Sequence, residues 1–250
     1  MIARARQILR EAGLGSLLTR GLALAYREGV RPHLPVLRRM SYAGIPTSVA
    51  ARLGDRWVPR SWLPGDVCDL PEYEATLLHA IRQFVRAGDS VVVVGGGVGV
   101  TATVAALQTG PSGHVCVFEG GAAGVRNIGI TARINGVRDR LSIEHAVVAR
   151  DVHVYGWRKG RTIAPSDLPD CDVLELDCEG AEAEILRELV IRPRVVLVET
   201  HGLYGASTDL VVSLLDDLGY ATRIAGLAEP RIPEICEAGD IRVVVAERSL

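Results

Sequence analysis

A single lysine, Lys159, and only two phenylalanines occur in the 250 residues. With aromatics this sparse, and none interleaved with basic runs, the surface pattern of an RNA-binding module is missing and no nucleic-acid role is expected. The five cysteines (Cys68, Cys116, Cys171, Cys178 and Cys236) are scattered and form no CxxC pair. That pattern argues against a cysteine zinc site or a disulfide framework and reads as reduced thiols. No apolar run reaches the ~18 residues of a membrane-crossing helix, because charge, glycine or proline interrupts each one. The opening run "MIARARQILREAGLG" lacks a signal-peptide core, so a cytoplasmic protein is expected.

What is present is apolar bulk and an uneven charge. Hydrophobic residues make up 48% of the chain, enough for one sizeable α/β domain with an appendage. Residues 1–60 hold eleven arginines against Glu11, Glu28 and Asp55, so the rest is strongly acidic although the whole carries a net charge of -2. Such a basic segment suits an anionic contact, whether a phosphate-bearing substrate, a peripheral membrane or an acidic partner; a solvated helical face is the plainer reading. Ile2, Leu9, Leu17, Leu18, Leu22 and Leu24 give residues 2–29 a helical period. Five prolines then break up residues 31–69. Residues 1–69 therefore read as a basic, mostly helical or irregular extension, and residues 70–250 as the main domain. Pro71 suits the first turn of a helix running to about Ala87.

From Asp89 onward, β-rich runs alternate with helical ones. Strands are expected at 90–95, 114–119, 141–148, 171–177 and 194–200, with helices at 100–109, 122–136, 181–189 and 207–218. The polar stretch 149–170 is expected to be irregular with a short hairpin. Two closing strands, 220–225 and 240–247, have no convincing helix between them and read as an antiparallel hairpin. The pattern specifies a Rossmann-like, doubly wound, mainly parallel sheet covered on both faces.

Chemistry gathers at the strand ends. In "VVVVGGGVGVTA", Gly95, Gly96, Gly97 and Gly99 lie between a strand and a helix, where bare backbone can approach a ligand and helix N–H groups face it. The run also fits GxGxxA, so a nicotinamide or flavin dinucleotide stays available beside other adenosine cofactors. Glu119 closes the second strand, placed to accept hydrogen bonds from two ribose hydroxyls, which such cofactors share. The fourth strand discriminates. "LELDCEGAEAEIL" sets Asp177 and Glu179 at the carboxyl edge of the sheet, where ligands bind in open α/β folds. Glu182 and Glu184 follow in the next helix, where capping and solvation account for them. "VETHG" adds Glu199 and His201 at the same edge, a proton carrier with an acid to orient it.

Taken together, the glycine loop, "GHVCVFE" with Asn127 and Asn135-Gly136, "LELDCEGAE" and "RPRVVLVETHG" resemble the FkbM-type S-adenosylmethionine (SAM)-dependent methyltransferases over roughly residues 70–247. The resemblance implies a seven-stranded class I methyltransferase sheet with SAM as cofactor. It implies that Gly95, Gly97 and Gly99 underlie the methionine moiety and that Glu119 holds the ribose. The turn after strand three, Glu144-His145-Ala146, would lie near the adenine. Asp177, Glu179, Glu199 and His201 would face the transferred methyl and the acceptor. The chain departs from the pattern at Val93, where an acid usually precedes the loop, and at Gly95-Gly96-Gly97, where Gly-Ala-Asn is usual.

The expected reaction is O-methylation of a hydroxyl on a sugar or other small polar metabolite, glycans and glycolipids included. His201 or Asp177 would take the proton, with Glu179 and Glu199 orienting the acceptor. No spacing demands a metal, and none is assigned. Two alternatives stand beside this: a nicotinamide- or flavin-dependent oxidoreductase using the same loop, and a non-catalytic binding protein on a degenerate methyltransferase fold, motivated by Val93.

Overall fold

The computed structural model describes residues 40–47, 51–53, 56–58, 69–149 and 159–248, together with residues 21, 22 and 25, which are helical. The rest of the expected helix at 2–29 lies outside the described residues. Two short antiparallel strands, β1 (Met40–Tyr42) and β2 (Ile45–Thr47), come first, followed by the paired β3 (Ala51–Leu53) and β4 (Arg56–Val58). Strand β5 (Asp69–Leu70) runs parallel to β1, with Ser41 opposite Asp69 and Tyr42 opposite Leu70. Thus β5 spans the junction read from sequence between extension and domain. The prolines suggest an irregular run here, yet Tyr42 and Ile45 bury in the main core and the Asn135 side-chain amide donates to the Pro46 carbonyl at 3.0 Å.

Helix α1 (Ala75–Phe84) starts later than Pro71, since residues 71–74 form a turn that ends on Glu74 in the left-handed region, at φ 44°. The alternation expected from sequence follows. It comprises β6 (Ser90–Val94), α2 (Val100–Thr109), β7 (His114–Glu119), α3 (Ala122–Ile134), β8 (Leu141–Val148), β9 (Arg161–Ile163), β10 (Val173–Leu176), α4 (Glu182–Arg187), β11 (Val195–Glu199) and α5 (Thr208–Asp217). The chain closes with β12 (Tyr220–Leu227), α6 (Pro233–Gly239) and β13 (Arg242–Arg248).

These strands form one sheet in the order β12-β13-β11-β10-β6-β7-β8-β9, and β13 runs antiparallel to both of its neighbours. The fold is the Rossmann-like, doubly wound α/β sheet that the alternation predicts. It has eight strands. The resemblance implied seven; the extra one is β9, which pairs parallel to β8 where a short hairpin was expected. Helix α6 is a second difference, for it separates β12 from β13. A seven-residue helix opening on Pro233 leaves little periodicity to read in a sequence.

Period-two alternation splits the apolar residues between two layers. Val91, Val93, Val115, Val117, Val173 and Leu197 pack with Leu77, Ile81 and Ile128 on one face. Val92, Val94, Leu174, Leu176, Val196 and Val198 pack with Ile185, Leu186 and Leu215 on the other. Each fully buried side chain of this kind stabilises by about 1.5–3 kcal/mol. From β6 the chain winds outward through β7 to β9, then returns to β10 and winds the opposite way. The topological switch point therefore lies between β6 and β10, and the loops after these two strands flank it. No helix among the described residues is long and apolar enough to cross a membrane.

Candidate active site

The glycine loop is shaped by its neighbours. Gly95 has φ 97°, and a Cβ there would overlap the carbonyl oxygen of Asp177. Gly99 has φ 86°, and a Cβ would stand 2.8 Å from the Ile128 Cα. Both positions need glycine for conformation and for space. Gly96 likewise has no room beside Ile128 and Val117, whereas nothing stands within 4 Å of the Cβ position of Gly97. The loop thus packs tightly below and lies open above, a cradle of backbone at the switch point.

Glu119 lies at this loop as expected. The Gly97 N–H donates to its Oε2 at 2.9 Å and the Gly121 N–H to its Oε1 at 2.6 Å. Burial raises the Glu119 carboxyl, and the N–H groups of Gly121 and Gly97 pull it back. Each oxygen keeps a further lone pair for a ribose hydroxyl. Gly124 matters here in a way the sequence reading missed, since a Cβ at that position would press to 2.5 Å from the Glu119 Cδ.

The turn expected at Glu144-His145-Ala146 is strand instead, for these residues lie within β8, which continues to Val148. Ala146 is buried and pairs with Arg161 of β9, while Glu144 forms an open ion pair with Arg161 at 3.7 Å. His145 alone of the three stands level with Glu119, in register across β7 and β8.

The four residues expected at the reaction centre do converge. His201 Nε2 lies 3.7 Å from Asp177 Oδ1, 3.9 Å from Glu179 Oε2 and 3.9 Å from Glu199 Oε1. Asp177 is set by its N–H bond to Val94 O at the end of β6, and Glu199 ends β11. Glu179 reaches the group from the left-handed region at φ 57°, a conformation that costs a non-glycine residue about 1–2 kcal/mol. His201 is held by paired backbone bonds with Ala206, and the Tyr204 ring stacks 6.3 Å from it.

A fourth acid completes the arrangement. Glu182, fully buried, accepts N–H bonds from Cys178 at 3.0 Å and Gly180 at 2.8 Å, and its Oε1 lies 2.9 Å from His201 Nδ1. A carboxylate so committed is an acceptor, which assigns the proton to Nδ1 and turns Nε2 toward the other three acids. The sequence suggests helix capping or a solvated face for Glu182, and its full burial excludes the solvated face. Its backbone donors, Cys178 and Gly180, lie in the loop before the helix and cap no helical N–H, and the imidazole is its third partner. The signal was the distance in chain between "CEGAE" and "ETHG", which only the pairing of β10 with β11 closes.

Two more acids were missed. Glu74, with Tyr73, lines a small cleft against Gly95, Gly97, Thr101 and Asp177. Glu175, 1% exposed, stands in register with Val93 across β10 and β6, and neither carboxyl oxygen has a hydrogen-bond partner among the described residues. An acid therefore sits beside position 93, on the neighbouring strand.

So many acids packed together and largely withdrawn from water cannot all ionise. Burial, with Asp177 and Glu74 nearby, holds the Glu175 carboxyl well above the usual range. Burial and the charge of Asp177 push Glu74 to about 8. Burial raises Asp177 to about 7 against the pull of His201, with Glu179 and Glu182 adding to the rise. Glu199 is driven up by burial and then by Asp177. Burial opposes charge on His201, but the hydrogen bond to Glu182 and the fields of Asp177 and Glu179 win, raising it to about 9. The imidazole is thus charged at neutral pH, and Asp177 is the group poised to exchange a proton there.

Compared with known proteins, the chain matches no family model and no curated protein. Among solved structures it is similar to a precorrin-6y C5,15-methyltransferase from Geobacter metallireducens, at 16% identity and a TM-score of 0.47, covering 72% of this chain and 89% of that one. It is also similar to a SAM-dependent O-methyltransferase from Thermotoga maritima, at 17% identity and a TM-score of 0.48, covering 75% and 68%. A third is fibrillarin from Aeropyrum pernix, solved with natively bound S-adenosyl-L-methionine, at 17% identity and a TM-score of 0.42, covering 65% and 68%.

Proposed function

We propose that the protein is a SAM-dependent methyltransferase of the FkbM type, methylating a hydroxyl oxygen on a sugar or other small polar metabolite. The observation that carries this reading is the acid-ringed imidazole of His201 set beside the open glycine cradle, across one switch point. The cradle suits the cofactor: Gly97 leaves space above the backbone, and Glu119 has lone pairs to spare for ribose hydroxyls. When bound there, SAM supplies an electrophilic sulfonium methyl.

The chain's own residues then have separable tasks. Glu179 and Glu199 offer acceptor oxygens that orient a substrate bearing several hydroxyls, which favours a carbohydrate over an amine or a carbon acid. The reacting hydroxyl yields its proton to the pair Asp177 and Glu179, of which Asp177, at about 7, is the base matched to neutral pH. His201 stays an imidazolium at about 9 and offsets the negative charge that collects as the proton leaves. Leu203, 74% exposed, and Tyr204 form an apolar lip next to His201, suited to a sugar ring or the start of a glycolipid chain. The arginines of residues 1–60 offer positive charge to an anionic acceptor or membrane surface.

Transfer of labelled methyl from SAM to a panel of carbohydrates tests the reading. Wild-type protein is expected to label a hydroxyl-bearing acceptor, and Asp177→Asn to slow transfer by about 10²–10⁴-fold. Undiminished transfer by an Asp177→Ala/His201→Ala double variant would overturn the assignment.

A further inference from the structure

We infer that Asp177, Glu199 and His201 form a binding site for one divalent metal ion of the first transition row. Their ligand atoms all lie within 4.8 Å of one another. The Nε2 separations of 3.7 and 3.9 Å approach those between neighbouring ligands of a single ion, since donors at ~2.1 Å from one centre stand about 3–4 Å apart.

Two further observations point to a cation. Glu199 is 8% exposed, and its Oε2 is buried without a hydrogen-bond partner among the described residues, so an oxygen withdrawn from water is left without a donor. The bond from His201 Nδ1 to Glu182 is what a metal-bound imidazole makes with its second nitrogen: it fixes the ring and leaves Nε2 as the donor. Glu182 is itself fixed by the N–H groups of Cys178 and Gly180, so this outer contact is rigid. A bound cation replaces the Nε2 proton and the protons shared among the acids. Two carboxylates with one imidazole suit Mn²⁺, Fe²⁺, Co²⁺ or Zn²⁺ better than Ca²⁺.

The use of the ion rests on the methyl-transfer reading; the site itself does not. An acceptor hydroxyl coordinated to the cation loses its proton to a weaker base. Asp177 and His201 can then ligate, the cation supplying the positive charge that the imidazolium gives in its absence, while Glu179, 3.9 Å from Nε2 and outside the ligand set, takes the proton.

The test is a Co²⁺ titration of the full, chelator-treated chain followed by visible absorption, with S-adenosylhomocysteine binding measured on the same sample. One equivalent of Co²⁺ is expected to bind with a ligand-field spectrum distinct from the aqueous ion. Glu199→Gln and Glu182→Gln should each weaken it about 10–100-fold while far-UV circular dichroism stays native. A chain that takes S-adenosylhomocysteine but no Co²⁺, or a folded Glu199→Gln variant that binds Co²⁺ as the wild type does, overturns the metal site. A chain that takes Co²⁺ but not S-adenosylhomocysteine overturns the cofactor reading and leaves the metal site standing.

Discussion

Glu182 shows how one side chain can set the chemistry of another. It satisfies two backbone donors of the loop after β10 and fixes the imidazole from α4, so its removal is costly in two currencies. Glu182→Ala leaves buried donors unpaired and should cost about 3–5 kcal/mol in denaturant unfolding. In the milder Glu182→Gln variant, the His201 pKa read by NMR should fall from about 9 toward the usual 6.5. Glu175 acts in the opposite sense. Its folded-state carboxyl is raised, so stability is full below the usual glutamate value of 4.5 and is lost as the pH climbs above it. Glu175→Gln should therefore gain stability over the wild type from about pH 4.5 upward, by at most about 1.4 kcal/mol per pH unit. Flat pH dependence of the difference would show that Glu175 is ionised in the fold. Asp177, Glu179, Glu199 and His201 were legible in sequence because strand ends are where open sheets bind ligands. Glu175 and Glu182 were not, because a buried acid in a strand and an acid in a first helical turn acquire their meaning from neighbours distant in chain.

At the level of elements, the loop between β6 and α2 decides whether the cradle exists. Gly95→Ala collides with the Asp177 carbonyl and must push β6 and β10 apart at their ends. It should lose both stability and S-adenosylhomocysteine binding. Gly97→Ala meets no neighbour, so its φ of 50° costs only about 1–2 kcal/mol and the fold should persist. Equal behaviour of the two variants in thermal unfolding would contradict this account of the loop. The strands β6, β7, β8, β10 and β11 were readable because buried parallel strands are nearly unbroken Val/Ile/Leu runs. Short elements were not. β9 has three residues and no apolar run, α6 has seven, and the turn before α1 looks helical until Glu74 takes a positive φ.

For the whole molecule, the described part of the N-terminal region is not an appendage to the sheet. Tyr42 and Ile45 belong to the same apolar layer as Leu77, Val93 and Ile128. Deleting residues 1–60 should therefore lower the unfolding midpoint as well as removing positive charge. The lost burial of those two side chains alone is worth about 3–6 kcal/mol. Prolines hid this from the sequence reading, since strands of two or three residues carry no period to detect. The sheet order is what brings chemistry from separate segments together. Because β6 and β10 are adjacent, the glycine loop, the acids after β10 and the "ETHG" run after β11 share one edge.

Calorimetric titration of the full chain with S-adenosylhomocysteine reads out whether this edge holds SAM. One site per chain is expected, weakened by Glu119→Ala, with no heat from NADH or FAD. Saturable binding of NADH or FAD, with none of S-adenosylhomocysteine, would contradict that expectation.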